Sequence, residues 1–308
     1  MIRIAILLAL FFPTGLLAQG MPCPFPAKPF QSASFSSGLR TPSIPCTTAS
    51  FPNAWLHARQ RASGNIASDF RNLYSFDSAK NFGVVLLGAG MLANTQMDQN
   101  FQNWHGKHIR SGFTDDMAFA AKQFGEGQIF IPIMATSAVT YRFFQQRRGL
   151  REHPLGEFTA RTTRGYLVGA PALIAFQSLL GAGRPVFDES HPSRGVNVPH
   201  ASRWEPFRFA NGVSGHAFIG AVPFITAAQM TDKPVVKGLF YALSTTTAWS
   251  RVNDDAHYLS QVILGWYLAY LSVRAVSQTE SSRRLPRGLT IFPITNESSA
   301  GLGVHYRF

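Results

Sequence analysis

The sequence predicts an all-α helical bundle, because apolar segments of helical length follow one another through its centre, separated by polar breaks and by one long loop at 183–212. The segments lie at residues 82–95, 115–124, 128–145, 157–181, 215–230, 233–249 and 256–279, after a more polar candidate at 66–76. Clean apolar stretches rarely exceed about 15 residues, which is short of the roughly 20 that a bilayer requires. We therefore interpret them as buried helices of one tightly packed bundle, with transmembrane spans for some of them as the alternative.

The composition indicates a sizeable core and a basic surface. The chain has 308 residues, of which 45% are hydrophobic and 14% charged, and its formal net charge is +12. Such a surface favours anionic partners, which here means a phosphorylated small molecule or lipid, or an anionic membrane surface. The chain has no run of five or six like charges and no basic helix interleaved with aromatic residues, so we expect no nucleic-acid partner.

The N-terminus is typical of an exported protein. Residues 1–19 predict a signal peptide, with Arg3 before an apolar stretch and small residues before Gln19; an uncleaved anchor is the alternative. Export would place the protein in the periplasm or cell envelope, a location that is compatible with membrane association. The two cysteines, Cys23 and Cys46, then predict a disulfide, and two unpaired thiols are the alternative.

The predicted organisation has four parts. Residues 20–56 form a Pro/Ser-rich arm after the signal peptide, and residues 57–282 form the helical domain. Residues 283–308 form the tail, in which 288–294 and 301–308 alternate in polarity around a turn-forming Asn-Glu-Ser-Ser sequence. This alternation predicts a short C-terminal β-hairpin.

The first candidate functional segment is Ser214-Gly215-His216, at the start of an apolar helix. Ser214 is a natural N-cap, and the free N–H groups at a helix start, together with its positive dipole end, attract anions. Gly215 would let a phosphate approach the backbone closely. The alternative is a capped helix that carries a surface histidine.

Two further segments contain the remaining candidates. Arg251 closes one helix and His257 opens the next, so Arg251 can grip phosphate oxygens and His257 can attack phosphorus. Arg184 follows Gln177 by seven residues, nearly two helical turns, and both would project from one face if the helix persisted past Gly181. The alternatives are an arginine that neutralises a helix C-terminus and an ordinary loop histidine.

Together these segments resemble the type 2 phosphatidic acid phosphatase (PAP2) and vanadium haloperoxidase superfamily, over roughly residues 80–275. That family's pattern is Lys-x6-Arg-Pro, then Pro-Ser-Gly-His, then Ser-Arg-x5-His-x3-Asp. The resemblance implies an all-α PAP2-like bundle with His257 as nucleophile and His216 as general acid. It also implies that the phosphate is bound by the following residues: Arg184, Arg251, Ser214, Gly215 and Gln177.

The chain departs from the family pattern at three positions, so it looks like a divergent member. Gln177 stands where the family has lysine, Val213 where it has proline, and Gln261 where it has the final aspartate. Gln261 can still orient the His257 ring through a hydrogen bond, but it supplies no charge. Asp254 and Asp255 are candidates to compensate, although solvated loop acids are the simpler interpretation.

The sequence therefore predicts an extracytoplasmic phosphatase that hydrolyses phosphomonoesters or diphosphates, with lipid phosphates as leading substrates, through a phosphohistidine. This enzyme needs no cofactor. The alternatives are a catalytically weakened or non-catalytic phosphate-binding envelope protein on the same fold, and a vanadate-dependent haloperoxidase, for which vanadate would be the cofactor. His105 and His108 have a spacing that zinc sites use, but no carboxylate or cysteine pair accompanies them, so we expect no metal site.

Overall fold

The computed structural model describes residues 65–148, 153–185, 201–284 and two strands at 289–296 and 299–306. The signal peptide, the arm with Cys23 and Cys46, and the segment 186–200 lie outside these residues. The helices are α1 (65–73), α2 (Phe76–Asn94), α3 (Met97–His108), α4 (Gly112–Lys122), α5 (Gly127–Arg148), α6 (Pro154–Leu180), α7 (Gly215–Met230), α8 (Pro234–Ser244), α9 (Thr246–Asn253) and α10 (Leu259–Arg284). The predicted all-α bundle is confirmed.

Helices α6, α7 and α10 pack against one another and form the centre of the core. Their fully buried side chains include Val168, Phe218, Ile225 and Leu264. Helix α7 buries residues around most of its circumference, which is why its sequence is apolar nearly throughout. Among the described helices, one segment, Leu259–Ser282 of α10, is long and apolar enough to cross a membrane, and 67% of its apolar window is buried inside the protein.

An ionic cluster inside the bundle holds three helices together. Arg164 of α6 donates two hydrogen bonds of 2.7 Å to the carboxylate of Asp69 on α1, and a third to Glu280 on α10. Asp69 is completely buried. The Arg164 guanidinium thus binds the Asp69 carboxylate with two hydrogen bonds and the Glu280 carboxylate with one. Ion pairs tolerate burial when their charged groups are hydrogen-bonded in this way.

The structure corrects two helix predictions and adds a helix. The predicted helix at 233–249 is two helices, because the chain breaks at Thr245 between α8 and α9. Helix α6 ends at Leu180, because Gly181 adopts a left-handed conformation with φ of 60°, and a Cβ there would lie 1.8 Å from the Glu205 carbonyl oxygen. Helix α3 was not predicted, and its buried face is polar.

The C-terminal strands pair as an antiparallel hairpin. Strand β1 (Leu289–Asn296) pairs with β2 (Ser299–Tyr306), with Leu289 opposite Tyr306 and Asn296 opposite Ser299. The predicted turn lies where expected, while the strands begin and end one or two residues from the predicted bounds. Phe308 lies outside the described residues.

Candidate active site

The N-terminus of α7 forms the first wall of the site. Ser214 is its N-cap, and the side-chain oxygen accepts a hydrogen bond of 3.3 Å from the backbone N–H of Ala217. A Cβ on Gly215 would lie 3.4 Å from Nε2 of Gln177, so glycine leaves this approach open. The Gln177 amide also donates to the Val213 carbonyl at 3.2 Å, which places it beside the Ser-Gly-His turn.

The turn after α6 brings Arg184 to the same wall. Because Gly181 ends the helix, the condition for a shared helical face is not met, and Gln177 and Arg184 do not lie on one. A backbone hydrogen bond instead joins the end of α6 to the segment before Ser214, since the Gly212 N–H donates to the Gln177 carbonyl at 3.0 Å. The Nε–H of Arg184 donates to Oδ1 of Asn211 at 2.9 Å. Asn211 precedes Ser214 by three residues, so this bond holds the guanidinium close to the start of α7.

His257 is held by Gln261, one helical turn later. Nδ1 of His257 lies 2.8 Å from Oε1 of Gln261, and the ring is 4% exposed. The Gln261 amide has a defined orientation, because Oε1 accepts from the Tyr258 backbone N–H at 3.1 Å and Nε2 donates to the Gly183 carbonyl at 2.6 Å. Nδ1 of the neutral His257 ring must therefore carry the hydrogen, so Nε2 carries the lone pair.

The loop between α9 and α10 folds back onto Arg251. The backbone carbonyl of Arg251 accepts from the N–H groups of Ala256 and His257, at 2.9 and 3.1 Å. Asp255 adopts a positive φ of 51°, a conformation that aspartate tolerates better than most residues, and it reverses the chain. The reversal places His257 next to the arginine that ends the preceding helix.

The electrostatics show that the four predicted residues share one environment. The pKa of His257 is well below its usual range, because the ring is buried and because Arg184, Arg251 and His216 oppose a further positive charge. Gln261 opposes this shift only in part. The structure thus brings the two histidines and the two arginines together, while their individual roles remain predictions.

The environment of His216 differs. Burial and the charge of Arg251 lower its pKa, whereas Glu126, whose Oε1 lies 3.5 Å from Nε2 of the ring, raises it. Lys122 lowers it further. Both His216 and Glu126 keep 35% of their side-chain surface exposed, so this side of the site faces solvent.

Asp254 and Asp255 take structural partners and are not solvated loop acids. Asp254 pairs with Arg251 at 3.0 Å, and Asp255 accepts a hydrogen bond of 2.6 Å from Gln102 and pairs with Arg110. Neither carboxylate has a contact with the His257 ring among the described hydrogen bonds. Their charges therefore act on the arginines and on the loop conformation.

Helices α3 and α4 support this loop from outside. Buried Asp98 accepts from the backbone N–H of Ser260 at 3.1 Å and from its hydroxyl, so it caps the start of α10. Gln102 donates to the Val252 carbonyl at 2.9 Å, and Asn253 donates to Asp115 at 2.8 Å. No sequence motif marks these contacts or Glu126, so neither could be predicted from the sequence.

The other candidates lie elsewhere or outside the described residues. His105 is buried in α3 and His108 is exposed at its end, and the described residues contain no group of three or more His, Cys, Asp or Glu that could hold a metal ion.

The comparisons with known proteins identify the family. A family model described as the PAP2 superfamily matches residues 165–284. Residues 165–284 belong to the PAP2 superfamily. No curated protein and no solved structure matches it. The PAP2 match begins in α6, ends with α10 and contains every residue of the predicted site. The resemblance to a phosphatase-type superfamily is therefore confirmed. Helices α2 to α5, and Glu126 with them, lie before the matched residues.

Proposed function

We propose that this PAP2 protein is an exported phosphatase that hydrolyses phosphomonoesters or diphosphates through a phosphohistidine at His257. The observation that supports this most is the Gln261 amide, which has two backbone partners and faces Nδ1 of His257. The amide holds a neutral ring with its Nε2 lone pair available, the form that a nucleophilic imidazole requires.

In the first step, Nε2 of His257 attacks phosphorus as the bond to the leaving oxygen breaks, and His216 donates a proton to that oxygen. Arg184 and Arg251 face the charge on the equatorial phosphate oxygens, together with the N-terminus of α7. Phosphoryl transfer depends above all on positioning and charge stabilisation. These residues supply both without a carboxylate on His257.

In the second step, water attacks the phosphohistidine and the P–N bond breaks. Neutral His216 accepts a proton from this water, which regenerates its acid form and the free His257 ring. Inorganic phosphate then leaves. Burial of His257 keeps other water away from the intermediate, and the half-exposed His216 side is where the nucleophilic water enters.

A lipid phosphate is the substrate class that the surroundings of His216 favour. Lys122, whose charge acts on His216, lies over the exposed ring of Phe119, at 5.5 Å from the ammonium to the ring centre. Helix α4 also exposes Phe113 and Met117. Apolar side chains next to a basic group fit a ligand that joins a phosphate to a hydrocarbon chain.

Membrane association is proposed on the apolar surface of three helices. Helices α2, α5 and α6 expose large apolar side chains: Val84, Leu87, Met91, Ile129, Ile131, Ile133, Val139, Phe143, Leu167 and Ile174. Exposed apolar surface on this scale marks an interaction site. Flotation with vesicles of phosphatidylcholine and phosphatidylglycerol tests this proposal, and protein that stays at the bottom of the gradient contradicts it.

Release of inorganic phosphate tests the enzymatic proposal. We expect His257→Ala to lower kcat at least about a thousand-fold, because the covalent route is lost. His108→Ala, which removes an exposed histidine from the end of α3, is the matched control and should behave like the parent. Equal rates for His257→Ala and the parent would remove the nucleophile assignment.

The same assay separates the alternatives. A non-catalytic phosphate-binding protein would bind inorganic phosphate, with loss of binding in Arg184→Ala, but would release none from any ester. A haloperoxidase would oxidise bromide with peroxide only when vanadate is added. No structural feature favours vanadate over phosphate, since both anions would occupy the same position.

A further inference from the structure

The His216 side of the site contains a carboxylate that belongs to no family motif. Resting on the proposed phosphatase activity, we propose that Glu126 is a positioning residue that holds the His216 ring and its proton ready for the leaving oxygen. Glu126 lies 39 residues before the PAP2 match begins at residue 165. It acts through His216 and not on the phosphate itself.

A hydrogen-bonded backbone turn positions the Glu126 carboxylate next to His216. A 3₁₀ turn, Gln123–Gly125, ends at Glu126, whose N–H donates to the Gln123 carbonyl at 3.2 Å. The Glu126 carbonyl in turn accepts from Ile129 and Phe130, at 3.0 and 2.9 Å, where α5 begins. Residue 126 is thus fixed between two helical elements.

Gly125 sets how closely this turn approaches His216. A Cβ on Gly125 would lie 2.9 Å from the His216 backbone oxygen and 2.7 Å from the Thr247 methyl group. Real Cβ atoms do not approach backbone this closely, so glycine is required for the contact. The turn therefore packs directly on the start of α7, beside the ring that Glu126 faces.

The charges around His216 explain why it needs this carboxylate. Arg251 from α9 and Lys122 from α4 both disfavour the protonated ring, as does burial, and the neutral His257 lies on the other side. Glu126 is the carboxylate that opposes them, with Oε1 at 3.5 Å from Nε2. A general acid must carry its proton when the substrate is bound, so Glu126 offsets the phosphate-binding cations.

The leaving group tests this role. Phenyl phosphate needs a proton on its leaving oxygen, whereas p-nitrophenyl phosphate expels a stable anion without one. We expect Glu126→Gln to lower kcat/KM, which reports the step in which the leaving group departs, about tenfold on phenyl phosphate and less than about twofold on p-nitrophenyl phosphate. The alkaline limb of the kcat–pH profile should move to lower pH, because His216 loses its proton more easily.

Two variants complete the design. Glu126→Asp keeps the charge on a shorter side chain and should recover part of the phenyl phosphate rate. Asp116→Asn removes an equal charge from the exposed surface of α4 and should leave both substrates unaffected. Loss on both substrates alike in Glu126→Gln would indicate damage to the fold and would overturn the proposed role.

A titration without turnover keeps the inference separate from the proposed activity. In ¹⁵N-histidine NMR, Glu126→Gln should lower the pKa of His216. A parent that releases no phosphate contradicts the phosphatase proposal, and the titration still decides whether Glu126 holds the His216 proton. An unchanged His216 pKa, or an active parent with an unchanged leaving-group dependence in Glu126→Gln, overturns the inference.

Discussion

The two histidines of the site lie in opposite environments. His257 is almost fully buried and is held through a neutral amide that itself has two backbone partners. His216 is half-exposed and faces a carboxylate across 3.5 Å. The first arrangement fixes one tautomer and one ring orientation. The second supports a ring that gains and loses a proton.

This difference suits the two roles that we propose. A nucleophile has to be neutral and aligned, and burial next to two arginines keeps the pKa of His257 low. A general acid has to be accessible and has to hold a proton. The solvent-facing surface of His216 provides the access, and the carboxylate of Glu126 opposes the fall in the His216 pKa that burial and Arg251 cause. The family aspartate can therefore be replaced by Gln261 without loss of orientation.

The largest expected effect comes from breaking the His257 side. Gln261→Leu removes the acceptor for Nδ1 and leaves the Gly183 carbonyl and the Tyr258 N–H without their partner. We expect kcat to fall about 100-fold and the free energy of unfolding to fall by about 2–4 kcal/mol. Steady-state kinetics and urea denaturation measure the two.

The control for Gln261→Leu is Gln96→Leu, at an exposed position between α2 and α3. The comparison with Glu126→Gln is informative, because the expected loss there is about tenfold and depends on the leaving group. A Gln261→Leu variant with the parent's kcat would show that ring orientation does not limit the reaction.

A smaller effect is expected from the support beneath the nucleophile. Asp98→Ala deprives the Ser260 N–H and hydroxyl of a buried acceptor at the start of α10, three residues after His257. We expect a loss of about 2 kcal/mol in unfolding free energy, since both a cap and a buried hydrogen bond disappear.

Asp98→Asn keeps an acceptor for the Ser260 N–H and is the matched variant. It should retain about half of that stability. The helix start carries His257, so thermal unfolding and kcat should change together in Asp98→Ala. A stability equal to the parent's would show that the Asp98 contact contributes nothing to the loop.

The smallest expected effect is a shift along the pH axis. Because the pKa of His257 lies below its usual value, the unfolded chain binds a proton below about pH 6.5 that the native site refuses. Stability should therefore fall as pH drops from about 6.5 toward the native pKa, while His257 in the native protein stays neutral through pH 6.5, so the acid limb of kcat/KM should lie below that pH.

Gln261→Glu sharpens this prediction. A carboxylate at position 261 favours the protonated ring, so the acid limb of kcat/KM should move to higher pH in this variant. The variant also loses the donor to the Gly183 carbonyl, so it should be less stable than the parent at neutral pH. An acid limb at the same pH in both proteins would contradict the assignment of that limb to His257.

The sequence predicted the bundle and the family, whereas the surroundings of the predicted site could not be deduced from it. The order and spacing of Arg184, Ser214, Arg251 and His257 were enough to indicate the family, because these residues match its three motif segments. Gln261 was expected to accept from His257. Its second contact, to Gly183, joins segments 78 residues apart and could not be deduced from local spacing.

Helix α3 shows why the rest was missed. Its buried positions are Asp98, Gln102 and His105, spaced as one helical face but polar, so a search for apolar periodicity passes over them. Asp98 and Gln102 are buried because they bond to groups around the α9–α10 loop, and that loop is positioned only by the complete fold. Glu126 could not be predicted either, because only the complete fold brings it to His216.

The measurement that tests the central claim most directly is the location of the phosphoryl group in the trapped intermediate. The protein is mixed with ³²P-labelled p-nitrophenyl phosphate, quenched in alkali and digested with trypsin. The peptide that follows Arg251 runs from Val252 to Arg274, and His257 is its only histidine. We predict that the label lies on this peptide and is lost on acid treatment. Label on the peptide that contains His216, or no label in a protein that turns over, would contradict the account.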